Sequence, residues 1–168
     1  MPFNLLKKYN DLLDIAAMDE NRCKISLRGV FDRDIVQNSD FSFRTKQINP
    51  TPADGQDSME RLFTHLTTVV VEKSTNKRKF DKTRSLRIHW IKYHIRENKK
   101  DNMLVFSVAE PNGTRTYIYD KDEYYVIVLE PMRKNNEYYL LTAYYLEGKD
   151  KARDKIMKKY KRKLSHIV

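Results

Sequence analysis

Three groups of residues in this chain have the types and spacing to do chemistry. The first is the block Arg84-Ser-Leu-Arg87-Ile-His89-Trp-Ile-Lys92, which sets cations and an imidazole among bulky apolar residues. The second is His65, at the end of a helical pattern running from Met59 to Leu66. The third is the strand-like run from Tyr138 to Tyr145, which carries Thr142 and Tyr144. Together they match what RNA cleavage without a metal requires. A base takes the proton of the ribose 2′-OH, cations stabilise the phosphorane, and an acid protonates the leaving 5′-oxygen. Histidine titrates near neutrality and suits the acid or base role. Arginine and lysine hold phosphate oxygens, and Thr and Tyr hydroxyls can orient them.

The elements that must position these groups can be read from hydrophobic period and turn chemistry. Residues 3–17 carry Leu5, Leu6, Tyr9, Leu12, Leu13 and Ala16 at helical spacing, and residues 24–31 alternate as a strand. Residues 32–57 read as a long irregular loop, pinned to the body by Phe41 and Phe43. Asp57-Ser58 caps the helix that ends near His65, and the β-branched run 67–71 fits either the helix end or a strand. Residues 73–79 form a basic turn. Asp81 caps a helix over 82–97, with Ile88, Ile91 and Ile95 on one side and Leu86, Trp90 and Tyr93 on the other. A helix apolar on two sides is sandwiched between layers. Arg84 falls on the isoleucine side, where a charge needs a partner or a ligand.

Four strands follow, over 103–109, 114–119, 124–129 and 138–146, with a strong turn at Glu110-Pro-Asn-Gly. Period two places Thr142, Tyr144, Leu140 and Leu146 on one face of the last strand. Arg115 points across one sheet face. Residues 149–164 read as a basic helix whose Ala152, Ile156, Tyr160 and Leu164 pack on the body, leaving Lys158, Lys159 and Arg162 for nucleic acid. The expectation is one α+β domain over 1–168. An antiparallel four-stranded sheet packs against N-terminal helices, with a basic C-terminal helix. Residues 1–56 precede a core over 57–146, and residues 147–168 close the chain.

Composition bounds the function. The formal net charge of +10 attracts polyanions, most often nucleic acid. The one cysteine, Cys23, cannot form an internal disulfide and fits a reducing cytoplasm as a structural residue. No run of residues reads as a membrane span or a secretory signal, so a cytoplasmic protein with no membrane partner is expected. The sequence holds no HExxH, Cys/His cluster or spaced carboxylate pair, and no glycine-rich phosphate loop. Neither a metal nor another cofactor is expected.

The helix Arg84…Arg87-Ile-His89-Trp-Ile, followed by a sheet ending in Leu141-Thr142-Ala143-Tyr144, resembles the small nucleases of the barnase–EndoU–colicin–RelE superfamily. The branch it resembles is that of phage and polymorphic toxins. The resemblance spans about residues 59–146. It implies a metal-independent endoribonuclease, of toxin type, leaving a 2′,3′-cyclic phosphate. It implies Arg84, Arg87, Thr142 and Tyr144 as site residues, with His65 or His89 as acid/base, and RNA as the partner. Lys92 and Arg115 would add phosphate contacts. For a toxin, an acidic antitoxin or immunity protein would cover the basic cleft. Adjacent helix positions diverge, so Arg87, His89 and Lys92 cannot all line one pocket. His94 and His166 read as surface residues. The competing reading is a non-catalytic nucleic-acid-binding protein. It would use the basic surface and the eight tyrosines from Tyr117 to Tyr145 as a stacking platform.

Overall fold

The computed structural model describes residues 9–147 and 150–168. Its α-helices are α1 (Glu20–Phe31), which a π-helical turn Asp32–Val36 continues, α2 (Ser58–Thr67), α3 (Lys82–Ser85), α4 (Trp90–Ile95) and α5 (Asp150–Lys161). Its strands are β1 (Ser42–Phe43), β2 (Lys46–Pro50), β3 (Thr68–Glu72), β4 (Lys77–Phe80), β5 (Met103–Glu110), β6 (Gly113–Asp120), β7 (Tyr125–Pro131) and β8 (Glu137–Tyr145). The α+β expectation holds, but the main sheet has six strands rather than four, in the order β1-β2-β8-β7-β6-β5. β3 and β4 form a second, two-stranded sheet. Among the described residues no helix is long and apolar enough to cross a membrane.

The β5–β8 meander is the antiparallel sheet the alternation predicts. The two added strands come from the segment expected to be loop. β2 pairs parallel with β8 from Gln47↔Glu137 to Pro50↔Leu140, and β1 folds back on β2. β2 carries little strand signal, since its residues are mostly polar, with only Ile48 buried, and it ends at Pro50. Phe41 and Phe43 are buried as expected and anchor this segment.

Two N-terminal expectations are corrected. Residues 24–31 are helical, within α1. The Asp19 side chain caps α1 by accepting from the Arg22 amide, and Cys23, Leu27, Val30 and Phe31 are buried at helical spacing. Ile25, which strand alternation would pair inward with Leu27, is 74% exposed. Part of the helix expected over 3–17 lies outside the described residues, and 9–17 form turns instead. There the main chain bonds to the body. The Leu13 amide donates to the Leu86 carbonyl at 3.0 Å, and Trp90 Nε1 donates to the Asp11 carbonyl at 3.2 Å. Leu13 and Ile15 enter the core, while Leu12 stays exposed.

The helix expected over 82–97 is two short helices joined by residues 86–89. The join is tightened by amide bonds to the third preceding carbonyl, at Arg87, Ile88 and Trp90. It is sandwiched as expected, with Ile88, Trp90, Ile91 and Ile95 all buried. The sheet separates two apolar clusters. The larger joins α1, α2 and α4 to one face through Ile118, Ile127, Leu140 and Ala143. The smaller lies under α5 and joins Ile156 to Phe106, Tyr117 and Val126. Beyond α5 the chain covers edge strand β5, where the Leu164 amide donates to the Ser107 carbonyl at 2.8 Å. Cys23 is buried and free, with Sγ 3.4 Å from the Ile15 carbonyl.

A register shift at Leu141 corrects the face of β8. Val128 pairs with Thr142 and Leu129 with Leu140, so Leu141 is an extra residue. Leu140 therefore packs in the larger core while Tyr144 and Leu146 pack with the smaller one. Thr142 and Tyr144 do not share a face with Leu140.

At the end of β6, Asp120 is fully buried and gathers donors from three elements. It accepts from the Tyr9 hydroxyl, from Lys99 Nζ at 2.8 Å, and from the amides of Asp122 and Glu123 at 3.0 and 3.2 Å. His94, expected at the surface, is 1% exposed. Its Nε2 lies 3.2 Å from Asp120 Oδ2, within ion-pair range but off the line of a hydrogen bond. Burial alone favours the neutral acid, yet the close approach of His94 and the donors of Lys99 and Tyr9 hold Asp120 well below the usual carboxylate range. A depressed carboxylate stabilises the fold above its unfolded pKa of about 4, and that contribution fades as pH falls toward the folded value. Asp120→Asn is expected to destabilise the protein by about 3 kcal/mol at neutral pH. Urea titrations from pH 3 to 7 should also show a shallower acid loss of stability than in the parent; an unchanged acid limb would refute the assignment.

Candidate functional site

β2 accompanies β8 only as far as Leu140, so the outer edge of Leu141–Tyr145 is left without a strand neighbour. The end of α2, the start of β3 and α3 occupy that edge. α2 begins at Asp57, whose carboxylate accepts from the Met59 and Glu60 amides, and it buries Leu62 and Leu66. That register leaves His65 in the last turn, half-buried beside the sheet. A pocket of about 180 Å³ opens there, lined by Thr51, Arg61, Leu62, His65, Leu140 and Leu141.

Arg84 ties the edge together. One guanidinium nitrogen donates to the His65 carbonyl at 2.7 Å, to the Thr68 carbonyl at 3.1 Å and toward Thr142 Oγ1 at 3.4 Å. The first of these bonds satisfies an open carbonyl at the C-terminus of α2, where a cation is also favoured by the helix dipole. Arg84 lies 6.0 Å from the Tyr144 ring centroid. Its Nε is buried and has no hydrogen-bond partner among the described residues, and no Asp or Glu among them forms an ion pair with it. A second cation reaches the same place from β4. Arg78 Nε donates to Thr68 Oγ1 at 2.7 Å, and its Nη2 donates to the Thr68 carbonyl that Arg84 also uses.

This environment acts on His65. Burial, then the positive charges of Arg78, Arg61 and Arg84, push its pKa below the ordinary histidine value. The imidazole is therefore neutral at pH 7 and able to accept a proton. Burial pushes the Tyr144 hydroxyl up, so it keeps its proton. A neutral histidine, two arginines and the Thr142 hydroxyl thus lie about the end of α2 and the edge of β8, with the Tyr144 ring beside Arg84 and packed on the smaller cluster. Arg78 and Arg61 are additions to the sequence-level candidates. Arg61 precedes His65 by four residues, a spacing that puts both on one helix face.

The other candidates lie elsewhere. Arg87 reaches the end of β8 but stacks on Tyr145, 3.9 Å from the ring centroid, and donates to the Thr83 carbonyl. His89 is 6% exposed and, with Lys92, lines a separate depression of about 150 Å³ that also holds Asp34. Lys92 Nζ is 3.9 Å from Asp34 Oδ1. No residue is common to the His65 and His89 pockets, and Arg84 bonds the His65 carbonyl and Thr142. His89 and Lys92 share one depression and Arg87 is not part of it, so the three do not line one pocket. Arg115 lies on β6, paired with Glu130 at 2.5 Å. Lys159 is bonded to Glu110, while Lys158 and Arg162 are exposed on or just beyond α5. Among the described residues, no group of three or more His, Cys, Asp or Glu could hold a metal ion.

The charge effect on His65 is directly measurable. Removing a cation relieves repulsion on the imidazolium, so Arg78→Ala should raise the His65 pKa toward the value of about 6.5 seen in model peptides. A proton NMR titration of the His65 ring checks the direction; a downward move would mean that the pocket, and not the arginines, sets it. No family model, curated protein or solved structure matches the chain, so its own residues carry the functional reading.

Proposed function

We propose that this protein is a metal-independent endoribonuclease of the barnase–EndoU–colicin–RelE type, with its site in the groove between the end of α2 and the open edge of β8. The observation that carries the reading is Arg84, a half-buried cation that feels the charge of Asp81 but forms no ion pair among the described residues, and that bonds both Thr142 and the backbone carbonyl of a histidine held neutral. Buried charge of this kind calls for an anion. A phosphodiester supplies one.

In this reading His65 takes the 2′-OH proton and the 2′-oxygen attacks phosphorus. Arg84 and Arg78 stabilise the added negative charge, and Thr142 fixes a non-bridging oxygen. The bond to the 5′-oxygen breaks. That alkoxide is far more basic than a phenol, and it takes the proton of Tyr144. The products are a 2′,3′-cyclic phosphate and a free 5′-hydroxyl. The His65 imidazolium loses its proton to solvent, and Tyr144 regains one from it. The net charge of +10 supports RNA as substrate and an acidic immunity or antitoxin protein as a partner of the toxin form. A single buried cysteine fits a cytoplasmic setting.

The competing binding reading loses much of its surface. Tyr117, Tyr119, Tyr125 and Tyr138 are each at most 5% exposed and cannot stack bases.

The test is cleavage of total RNA in excess EDTA by the parent protein and by the His65→Ala, Arg84→Ala and Thr142→Ala variants. EDTA-resistant cleavage giving cyclic phosphate ends is expected. His65→Ala and Arg84→Ala should each lose roughly 100-fold or more, with a smaller loss for Thr142→Ala. Arg84→Ala also strips donors from two carbonyls, at a cost of about 1–3 kcal/mol, so its folding must be checked by thermal unfolding. Salt-sensitive RNA retention without cleavage by the folded parent would establish the binding module instead. Equal cleavage by all the proteins would exclude this groove.

A further inference from the structure

β3 and β4 form a hairpin that stands outside the main sheet, and residues 70–77 along it are all exposed. From Glu72 to Lys79 it carries Lys73, Lys77, Arg78 and Lys79 against the single carboxylate Glu72. Lys77 and Lys79 lie two apart on one strand and so share a face, about 6.6 Å apart along it, close to the interval between successive phosphates of an extended single strand. Arg78 points to the opposite face, where it bonds Thr68 beside Arg84. The base of the hairpin thus meets Arg84 through Arg78 and Thr68, while Lys77 and Lys79 carry positive charge along its other, exposed face.

Val70 and Val71 are 41% and 55% exposed on the same hairpin. An exposed valine edge could instead dock a partner's strand. Two features oppose that. The ladder is irregular between Val70 and Glu72, which disrupts a pairing template, and lysines line the other strand.

We infer that the β3–β4 hairpin is an RNA-gripping arm, holding the phosphates of the single strand that leads into the groove. The inference rests on the ribonuclease reading for the direction of the strand, and its binding half can be tested without catalysis. The combined variant Lys73→Gln, Lys77→Gln, Lys79→Gln is compared with the parent and with a control neutralising Lys24, Lys100 and Lys121, which are exposed on other surfaces.

The probes are a fluorescent 20-nucleotide single-stranded RNA, titrated at several salt concentrations, and a dinucleoside monophosphate too short to reach the arm. The arm variant should bind the 20-mer about tenfold more weakly near 0.1 M salt, with the salt slope reduced by roughly 2. Its rate on the dinucleotide and its thermal unfolding should match the parent. A slope no different from that of the control overturns the arm. So does unchanged RNA binding beside lost binding of poly-glutamate, which would mark an acidic protein as the occupant. Weakened RNA binding with no dinucleotide cleavage by any protein would keep the arm and reject the ribonuclease reading.

Discussion

A carboxylate with no exposure, Asp120, needs its donors or the fold loses far more than one bond. Those donors come from the N-terminal segment at Tyr9 and from the 96–102 connection at Lys99, and His94 of α4 lies against the same carboxylate. Each is drawn against the end of β6 because leaving the charge unpaired would be costly. Tyr9 also stacks on Tyr93 with ring centroids 4.0 Å apart and meets Trp90 edge-on, so the same contact seats α4 over the sheet. The α3–α4 turn is then held at one end by this network and at the other by Ser85, whose hydroxyl donates to the Thr67 carbonyl.

That seating is what carries Arg84 to the open edge of β8. The guanidinium is long enough to satisfy the end of α2 and the start of β3 at once, and it meets Thr142 only because β2 stops at Leu140. Were β2 to continue, its backbone would occupy the space now shared by Arg84 and His65. The bulge at Leu141 works to the same end, since it turns Tyr144 away from the larger core and toward Arg84. The groove, its neutral histidine and its cations are consequences of where one strand ends and another slips by a residue.

Local signals were sufficient where chemistry is local. The Asp57 and Asp81 caps, the Glu110–Gly113 turn and the four alternating strands of the meander are each written in a few adjacent residues. So were Arg84 and Thr142 as unusual residues: a cation on an apolar helix side and a small polar residue among aromatics need no partner to be noticed. Where two periods overlapped, local reading failed. Residues 24–31 satisfy alternation as well as helical spacing, and the core chose the helix because Cys23, Leu27, Val30 and Phe31 pack together on one side.

The sequence by itself determined the α+β class, the antiparallel meander, the excess of positive charge and the residue types able to act on a phosphodiester. These depend on spacing and composition, which the chain carries openly. Only the tertiary structure decided that a polar segment joins the sheet as β2, that Arg84 bonds the His65 carbonyl, and that His94 is buried on Asp120. Each of these depends on which distant groups are left without a partner once the core has formed, and hydrogen bonds between residues far apart in the chain leave no periodic trace in it.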